Sequence, residues 1–123
     1  MKFIEDGKTD NEKSLEIKNG KRKGKEYDAN DKVIFEGKYL NRERHGKGKE
    51  YDEYGELIFE GEYLNGKRNG IGKEYDEMSR LIFEGVYFKG EQWNGKIREF
   101  KNGELIFDGE YINGNKCEIY RRW

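Results

Sequence analysis

The chain lacks the residue groups from which disulfides and metal sites are built. Its 123 residues contain one cysteine, Cys117, and one histidine. A single cysteine cannot form a disulfide within the chain, and there is no cluster of cysteines and histidines with the spacing of a metal site. We therefore expect a protein of a reducing compartment, the cytoplasm, with no metal and no other cofactor.

Long apolar runs and a large net charge are also missing. The longest apolar runs are triplets such as Leu57-Ile58-Phe59, which are too short for a signal peptide or a transmembrane segment. The 25 Lys and Arg residues nearly balance the 26 Asp and Glu residues, so no overall field favours nucleic acid or an anionic membrane. We expect no nucleic-acid partner, and any charged partner must recognise a local patch.

The chain does contain a repeat rich in aromatic residues. Only 33% of the residues are hydrophobic and 41% are charged, yet 15% are aromatic and they recur at regular places. A phenylalanine, a glycine and a tyrosine return at a constant spacing of 24 residues, as Phe35/Gly37/Tyr39, Phe59/Gly61/Tyr63, Phe83/Gly85/Tyr87 and Phe107/Gly109/Tyr111. Such a period predicts one elongated repeat domain.

Each 24-residue unit contains two strand signals and two turn signals. Residues 57–64 alternate so that Phe59, Gly61 and Tyr63 share one face, and residues 73–75 form the partner strand. Residues 65–70 and 76–80 are rich in turn formers. The pattern predicts an all-β fold, a single-layer antiparallel meander of stacked hairpins with about eight to ten strands and essentially no helix.

The parity of the turns affects which face Tyr75 occupies. A two-residue turn at Asn65-Gly66 would leave Tyr75 on the face opposite Phe59. Burying aromatic area on one face is worth about 25 cal/mol per Å². We therefore predict a longer, bulged loop over residues 65–70 that brings Tyr75 onto the face of Phe59 and Tyr63.

The repeat also predicts the domain organisation. Residues 1–14 form an N-terminal cap or short strand around Phe3 and Ile4, 15–114 form the repeat array, and 115–123 form a C-terminal cap strand in which Arg121 and Arg122 protect the sheet edge. In the unit of Phe83, the segment of residues 89–95 is one residue longer than its counterpart and the segment 101–104 is one residue shorter. Phe107 is therefore expected to return to the common register.

The run from Phe59 to Gly72 resembles the MORN repeat, the membrane occupation and recognition nexus motif. Matching positions are Gly61, Tyr63, Gly66, Gly70 and Gly72, and the resemblance covers residues 15–114. Three positions depart from the pattern. Arg42 replaces the glycine that corresponds to Gly66, Ile97 replaces the glycine that corresponds to Gly72, and Ile17 stands at the position that corresponds to Tyr63. The resemblance, which extends to variant repeats of bacterial proteins described as antitoxins, implies a non-catalytic docking platform of stacked hairpins.

Enzymatic and phosphate sites have little support in the residues. The pairs Gly46/Gly48 and Gly70/Gly72 could suggest a phosphate loop, but no helix follows them and structural glycine is the favoured interpretation. No nucleophile and base, metal or nucleotide constellation is present. We therefore expect no catalytic residue and no enzyme.

The function predicted from these features is a scaffold that binds another protein or a second copy of itself, through its aromatic face or a charged edge. We expect the phenylalanines to be buried while Tyr39, Tyr63 and Tyr87 stay partly accessible as partner contacts. One edge is expected to be basic and the other acidic. The basic edge collects Lys21, Arg22, Lys23, Arg42, Arg44, Lys67 and Arg68, and the acidic edge collects Asp28, Asp31, Asp52, Glu53, Glu56, Asp76 and Glu77.

Two other functions remain open at this point. The basic edge could contact anionic headgroups, which would make the chain a peripheral membrane or phospholipid-binding module. The resemblance to variant repeats also allows an antitoxin or immunity-like protein that neutralises its partner by binding it.

Overall fold

The computed structural model describes residues 2–5 and 21–118. These residues form one antiparallel sheet in which the strands follow each other in chain order, and they contain no helix. The strands are β1 Lys2–Glu5, β2 Lys21–Tyr27, β3 Val33–Leu40, β4 Glu43–Tyr51, β5 Leu57–Leu64, β6 Lys67–Tyr75, β7 Leu81–Phe88, β8 Glu91–Lys101, β9 Glu104–Ile112 and β10 Asn115–Glu118. The predicted all-β, single-sheet hairpin meander is confirmed.

Both ends of the sheet contain a short strand. Strand β1 includes Phe3 and Ile4 and pairs with β2, and β10 pairs with β9. The rest of the predicted N-terminal cap, the start of the array with Ile17, and the terminal Arg121 and Arg122 lie outside the described residues.

Two-residue turns join the strands at one edge of the sheet. At Asn65-Gly66 both residues have positive φ, 50° and 82°, and β6 begins at Lys67. The predicted loop over residues 65–70 is therefore wrong, because the backbone twist of this kind of turn matches that of the strands it joins. Arg42 has φ 69° at the position of Gly66, so the turn conformation is kept without the glycine.

Turns that begin with an aspartate join most strands at the opposite edge. In the turn after β4, the Asp52 carboxylate accepts hydrogen bonds from the backbone N–H groups of Tyr54 and Glu56, both at 2.9 Å. Asp28 and Asp76 accept the equivalent bonds in their own turns. These acidic residues of the predicted acidic edge therefore stabilise the turns.

An irregularity in each regular hairpin sets which residue lies opposite the phenylalanine. Tyr63 pairs with Arg68 and Gly61 pairs with Gly72, so Glu62 lies opposite three residues of β6. Two extra residues leave the parity unchanged, and Glu74 therefore lies opposite Phe59. The prediction that Tyr75 joins Phe59 is wrong.

The core lies on one side of the sheet, which we call the aromatic face. It contains Phe35, Phe59, Phe83 and Phe107 with the tyrosines that pack between them. The first three phenylalanines are 0% exposed. Phe59 packs edge-to-face on Tyr63 and Tyr87, with ring centroids 5.5 and 5.1 Å away. The same contacts repeat along the sheet as the ladder Tyr39, Phe35, Tyr63, Phe59, Tyr87, Phe83 and Tyr111.

Glycines make room for this core in a single layer. A Cβ on Gly61 would lie 2.6 Å from the Cα of Gly72 and 2.8 Å from Cζ of Phe59. Gly72 has the same ring within 2.8 Å of its own Cβ position. The rings thus lie directly against the glycine backbone, and the structural interpretation of these glycines is confirmed.

The unit of Phe83 reaches the common register through a different strand pairing. Phe107 pairs with Glu99 as Phe83 pairs with Glu74, so the predicted return to register is confirmed. Gly95, not Ile97, lies opposite Gly85 in the place of Gly72. Ile97 lies opposite Phe83 instead and is 8% exposed, which makes it part of the core.

Candidate binding surface

The tyrosines predicted to contact a partner are buried. Tyr39, Tyr63 and Tyr87 are only 5%, 3% and 2% exposed. The Tyr39 hydroxyl donates to the carboxylate of Glu26 at 2.6 Å. Tyr63 and Tyr87 donate in the same way to Glu50 and Glu74. The prediction that these tyrosines stay accessible is wrong, because their hydroxyl groups are satisfied by internal carboxylates and do not need water.

Two arginines assigned to the basic edge also belong to the aromatic face. The guanidinium group of Arg68 lies 4.1 Å from the centroid of the Phe59 ring, and that of Arg44 lies 4.2 Å from that of Phe35. Arg68 donates from Nε to Glu50 at 2.8 Å and from Nη1 to Glu74 at 3.0 Å. Both arginines cover the phenylalanines, and their assignment to an exposed edge is wrong.

This network was missed from the sequence, although a signal was present. The acidic partners Glu26, Glu50 and Glu74 recur every 24 residues, as do Arg44 and Arg68. A charge on a solvated surface has no physical reason to return at the period of the core. The strict recurrence of both signs could therefore have indicated an internal network.

The network changes the acidity of its members. Burial acts to raise the pKa of Glu50, but hydrogen bonds from Arg68 and Tyr63 outweigh it and the pKa is lowered. The pKa of Glu26 is lowered by the same balance. Burial, followed by the hydrogen bond to Glu50, raises the pKa of Tyr63 far above its ordinary value. The carboxylates are therefore held charged and the phenols neutral.

Arg42 and Lys67 are the members of the predicted site that remain exposed on the turn edge. Arg42 occupies the second position of its two-residue turn, and Lys67 follows the next such turn. With Arg44 and Arg68 engaged in the core, the basic edge is weaker than the sequence predicted.

The other side of the sheet, which we call the polar face, presents charges in an ordered row. Lysine and glutamate alternate from strand to strand across it, in the order Lys25, Glu36, Lys49, Glu60, Lys73, Glu84, Lys96 and Glu110. Lys73 and Glu84 lie 3.4 Å apart. Opposite charges directly across a strand pair stabilise a sheet, so this row is explained by folding alone.

An open trough lies on the polar face beside this row. Its volume is about 710 Å³, and its lining includes the backbone of Gly37 and Gly48. Lys23, Lys38 and Lys47 lie along it, and Ile71 lies toward β7. The trough therefore combines cationic and apolar groups on an exposed surface.

The carboxylates of the trough are already engaged. Glu60 accepts the hydroxyl of Tyr75 at 2.8 Å, and Glu36 accepts that of Tyr51. Burial and this hydrogen bond raise the pKa of Tyr75 to about 12. Glu62 accepts the backbone N–H of Ile71 at 2.8 Å.

The lysines Lys23, Lys38 and Lys47 differ from these carboxylates. Within residues 2–5 and 21–118, none of the three has a hydrogen-bond or ion-pair partner for its ammonium group. Their charges are therefore available to a ligand.

Apolar side chains continue this surface toward β9. Ile71 is 66% exposed and pairs across the strands with Val86, which is 40% exposed. Leu64, Phe88 and Ile112 end their strands at the turn edge and are also exposed. These exposed apolar side chains therefore lie outside the core, on a surface that faces solvent.

Comparisons with known proteins add no identification. No protein-family model matches the chain, and no curated protein is significantly similar to it. Among the described residues, no group of three or more histidine, cysteine, aspartate or glutamate side chains is placed to hold a metal ion. The same part of the chain has no helix with the length and apolar character needed to cross a membrane.

Proposed function

We propose that this protein is a non-catalytic scaffold that binds a partner protein through its polar face. The observation behind the proposal is that the aromatic face is closed by its own tyrosines, arginines and glutamates. The polar face, in contrast, offers lysines that have no internal partner among the described residues, beside the exposed Ile71 and Val86. A flat array of hairpins suits this role, since repeat proteins form extended binding surfaces.

The repeat architecture supports the narrower proposal of a MORN-like array. Its support is the constant spacing of 24 residues, the glycine pairs under each phenylalanine, and the hairpin in every unit. A docking platform of this type needs no catalytic group. An antitoxin or immunity-like role is a special case of the same proposal, because such a protein acts by covering a surface of its target.

A peripheral membrane role has less support. The proposed contact was the basic edge, and Arg44 and Arg68 point their charges at internal glutamates. Arg42 and Lys67 remain, and each exposed cation near an anionic surface contributes about 1 kcal/mol. We therefore favour a protein partner over a lipid surface.

The test compares capture of partners by the wild-type chain and by Ile71→Gln. Ile71 is 66% exposed in the proposed surface, and Met78, at the tip of the turn after β6, is 69% exposed outside it. Met78→Gln is therefore the matched control. Partners enriched by the wild type are expected to be lost with Ile71→Gln and kept with Met78→Gln.

A captured candidate is then purified and its affinity for the three chains is measured by calorimetry. Equal affinity for the wild type and Ile71→Gln would place binding away from the polar face and contradict the proposal. Circular dichroism and melting curves of all three chains show that the fold is unchanged.

A further inference from the structure

We infer that the trough binds an acidic segment of a partner protein that is anchored at one end by large apolar side chains. This inference deepens the proposed scaffold function and rests on it. The cationic end of the trough is formed by Lys23, Lys38 and Lys47. Its apolar end is formed by Ile71, and Val86 lies next to the trough, opposite Ile71 across the β6/β7 pair.

Lys23 and Lys38 break the rule that the neighbouring row obeys, whereas Lys47 lies opposite Glu62 across the β4/β5 pair. Lys23 lies directly opposite Lys38 across the β2/β3 pair. Lys38 lies opposite the irregular part of β4 that contains Lys47, and its side chain passes over Gly46. Like charges placed directly opposite destabilise a sheet. A feature that opposes folding while the adjacent row alternates perfectly is expected at a functional site.

The next unit shows what folding alone would favour at Lys38. The equivalent residue is Glu62, whose carboxylate accepts the backbone N–H of Ile71 at 2.8 Å. The residue equivalent to Ile71 in the first unit is Lys47. The ammonium group of Lys38 cannot accept a hydrogen bond from the backbone N–H of Lys47, and its charge is repelled by that of Lys23. Glutamate there would remove the repulsion and supply an acceptor.

The chemistry of the trough selects the ligand. The three lysines have no partner within the part of the chain that the structure describes, so their charges can attract carboxylates. The exposed pair Ile71 and Val86 offers an apolar contact beside them. The lysines are interleaved with Glu36, Glu60 and Glu62, which lie in the same trough. A uniformly anionic bilayer surface would meet these carboxylates, whereas a peptide can place its acidic side chains only where the lysines lie.

The test measures binding by fluorescence anisotropy. The probe is a fluorescein-labelled peptide with a run of glutamates followed by two leucines. Three further probes separate the contributions. The first has serines in place of the leucines, the second has glutamines in place of the glutamates, and the third is a vesicle containing phosphatidylserine. We expect the wild type to bind the complete peptide more tightly than either partial peptide, with an affinity that falls as salt increases.

The decisive variant is Lys38→Glu, measured for binding and for thermal unfolding. We expect it to weaken binding of the complete peptide at least about fivefold, because one attractive charge becomes repulsive. We expect the same variant to melt at a higher temperature than the wild type. The control is Lys101→Glu, an exposed lysine at the end of β8, which should leave peptide binding unchanged.

Two results would overturn the inference. One is equal binding of the peptide by the wild type and Lys38→Glu, and the other is binding of the vesicle without binding of the peptide. If a captured partner depends on Ile71 but the acidic peptide does not bind, this inference fails while the scaffold function stands. If the captured partner also binds Ile71→Gln as well as it binds the wild type, both this inference and the proposed scaffold function fail.

Discussion

The aromatic face presents the same phenylalanine, glycine and tyrosine in all four units, whereas the polar face presents Lys38, Glu62 and Val86 at equivalent positions of the first three. The difference follows from what each side chain touches. Phe59 is enclosed by Tyr63, Tyr87 and its arginine, so any change of shape is felt by its neighbours. A side chain on the polar face is bounded by water on at least one side.

This contrast separates stability from recognition within a single layer. The enclosed face fixes the hairpin stack and repeats because every unit must meet the same neighbours. The solvated face can change from unit to unit at little cost, and such change is what gives a surface a specific pattern of charge and apolar area. The proposed binding surface accordingly lies where the units differ most.

The unit of Phe83 shows that the aromatic face tolerates a substitution only with compensation. Gln92 stands where Arg44 and Arg68 stand in their units, and it donates to Glu74 at 3.1 Å. Among the described residues no guanidinium covers Phe83, and Ile97 is buried opposite it instead. Lys116 then takes the arginine role for Phe107, with Nζ 4.4 Å from the ring centroid.

The largest effect is expected from emptying the aromatic face. Phe59→Ala should lower the free energy of unfolding by about 3–5 kcal/mol, because a fully buried ring is removed and the closed ladder cannot collapse around the space. Phe88→Ala is the control on the polar face, where the ring is 45% exposed, and should cost about 1 kcal/mol or less. Urea denaturation measures both, and similar losses would contradict the contrast between the faces.

Adding a side chain at a core glycine should destabilise the fold less than removing the Phe59 ring. Gly61→Val places a branched side chain against the Gly72 backbone and the Phe59 ring, and we expect about 1–3 kcal/mol of destabilisation. Glu84→Val introduces the same side chain on the polar face of the next unit and should stay within about 0.5 kcal/mol. An unchanged melting temperature for Gly61→Val would show that the strands can separate to admit it.

Removing the cation above Phe59 should have a smaller effect again. Arg68→Ala leaves Glu50 and Glu74 without their shared guanidinium, and we expect a loss of about 1–2 kcal/mol for these partly exposed groups. Lys67→Ala removes the adjacent exposed cation and should change stability by less than about 0.5 kcal/mol. Equal effects in chemical denaturation would mean that Arg68 acts only as a surface charge.

Acidic pH should destabilise the fold, because the carboxylates of the network stabilise it only while they are charged. The pKa values of Glu26 and Glu50 are lower in the folded chain than the ordinary value of 4.5. Their stabilisation is therefore present above pH 4.5 and lost as pH falls through the folded pKa. The midpoint of urea unfolding is expected to drop over this acidic range. In Glu50→Gln the urea midpoint should fall less with decreasing pH. An equally steep fall in that variant would show that other groups cause the pH dependence.

Alkaline pH distinguishes the two faces by their tyrosines. The folded pKa of Tyr63 is raised above the ordinary 10.0, so the neutral phenol stabilises the fold below pH 10 and this contribution is lost as pH rises. On the polar face, Tyr51 and Tyr75 have pKa values raised only to about 12. Ultraviolet absorbance of tyrosinate should therefore show Tyr51 and Tyr75 ionising before Tyr63. Simultaneous ionisation of all three would contradict the burial of Tyr63.

Much of the fold could be predicted because it depends on local rules. The spacing of 24 residues, the alternation in residues 57–64 and the turn formers predicted a single sheet of hairpins, and the positions of Phe59 and Gly61 predicted a core and the glycines beneath it. The Asn65-Gly66 turn was misjudged although its preference is also local. The burial argument assumed that Tyr75 had to join the core, and this assumption was wrong.

The sequence by itself determined the all-β class, the strand order and the burial of the phenylalanines, because period-two alternation and turn chemistry act between residues close in the chain. Only the tertiary structure decided which residues close the core. Tyr63, Arg68, Glu50 and Glu74 come from three different strands, and their contacts depend on a two-residue slip inside β6 that no local preference specifies. That slip keeps every side chain on its own face but brings Glu74 opposite Phe59, where it accepts hydrogen bonds from Arg68 and Tyr87.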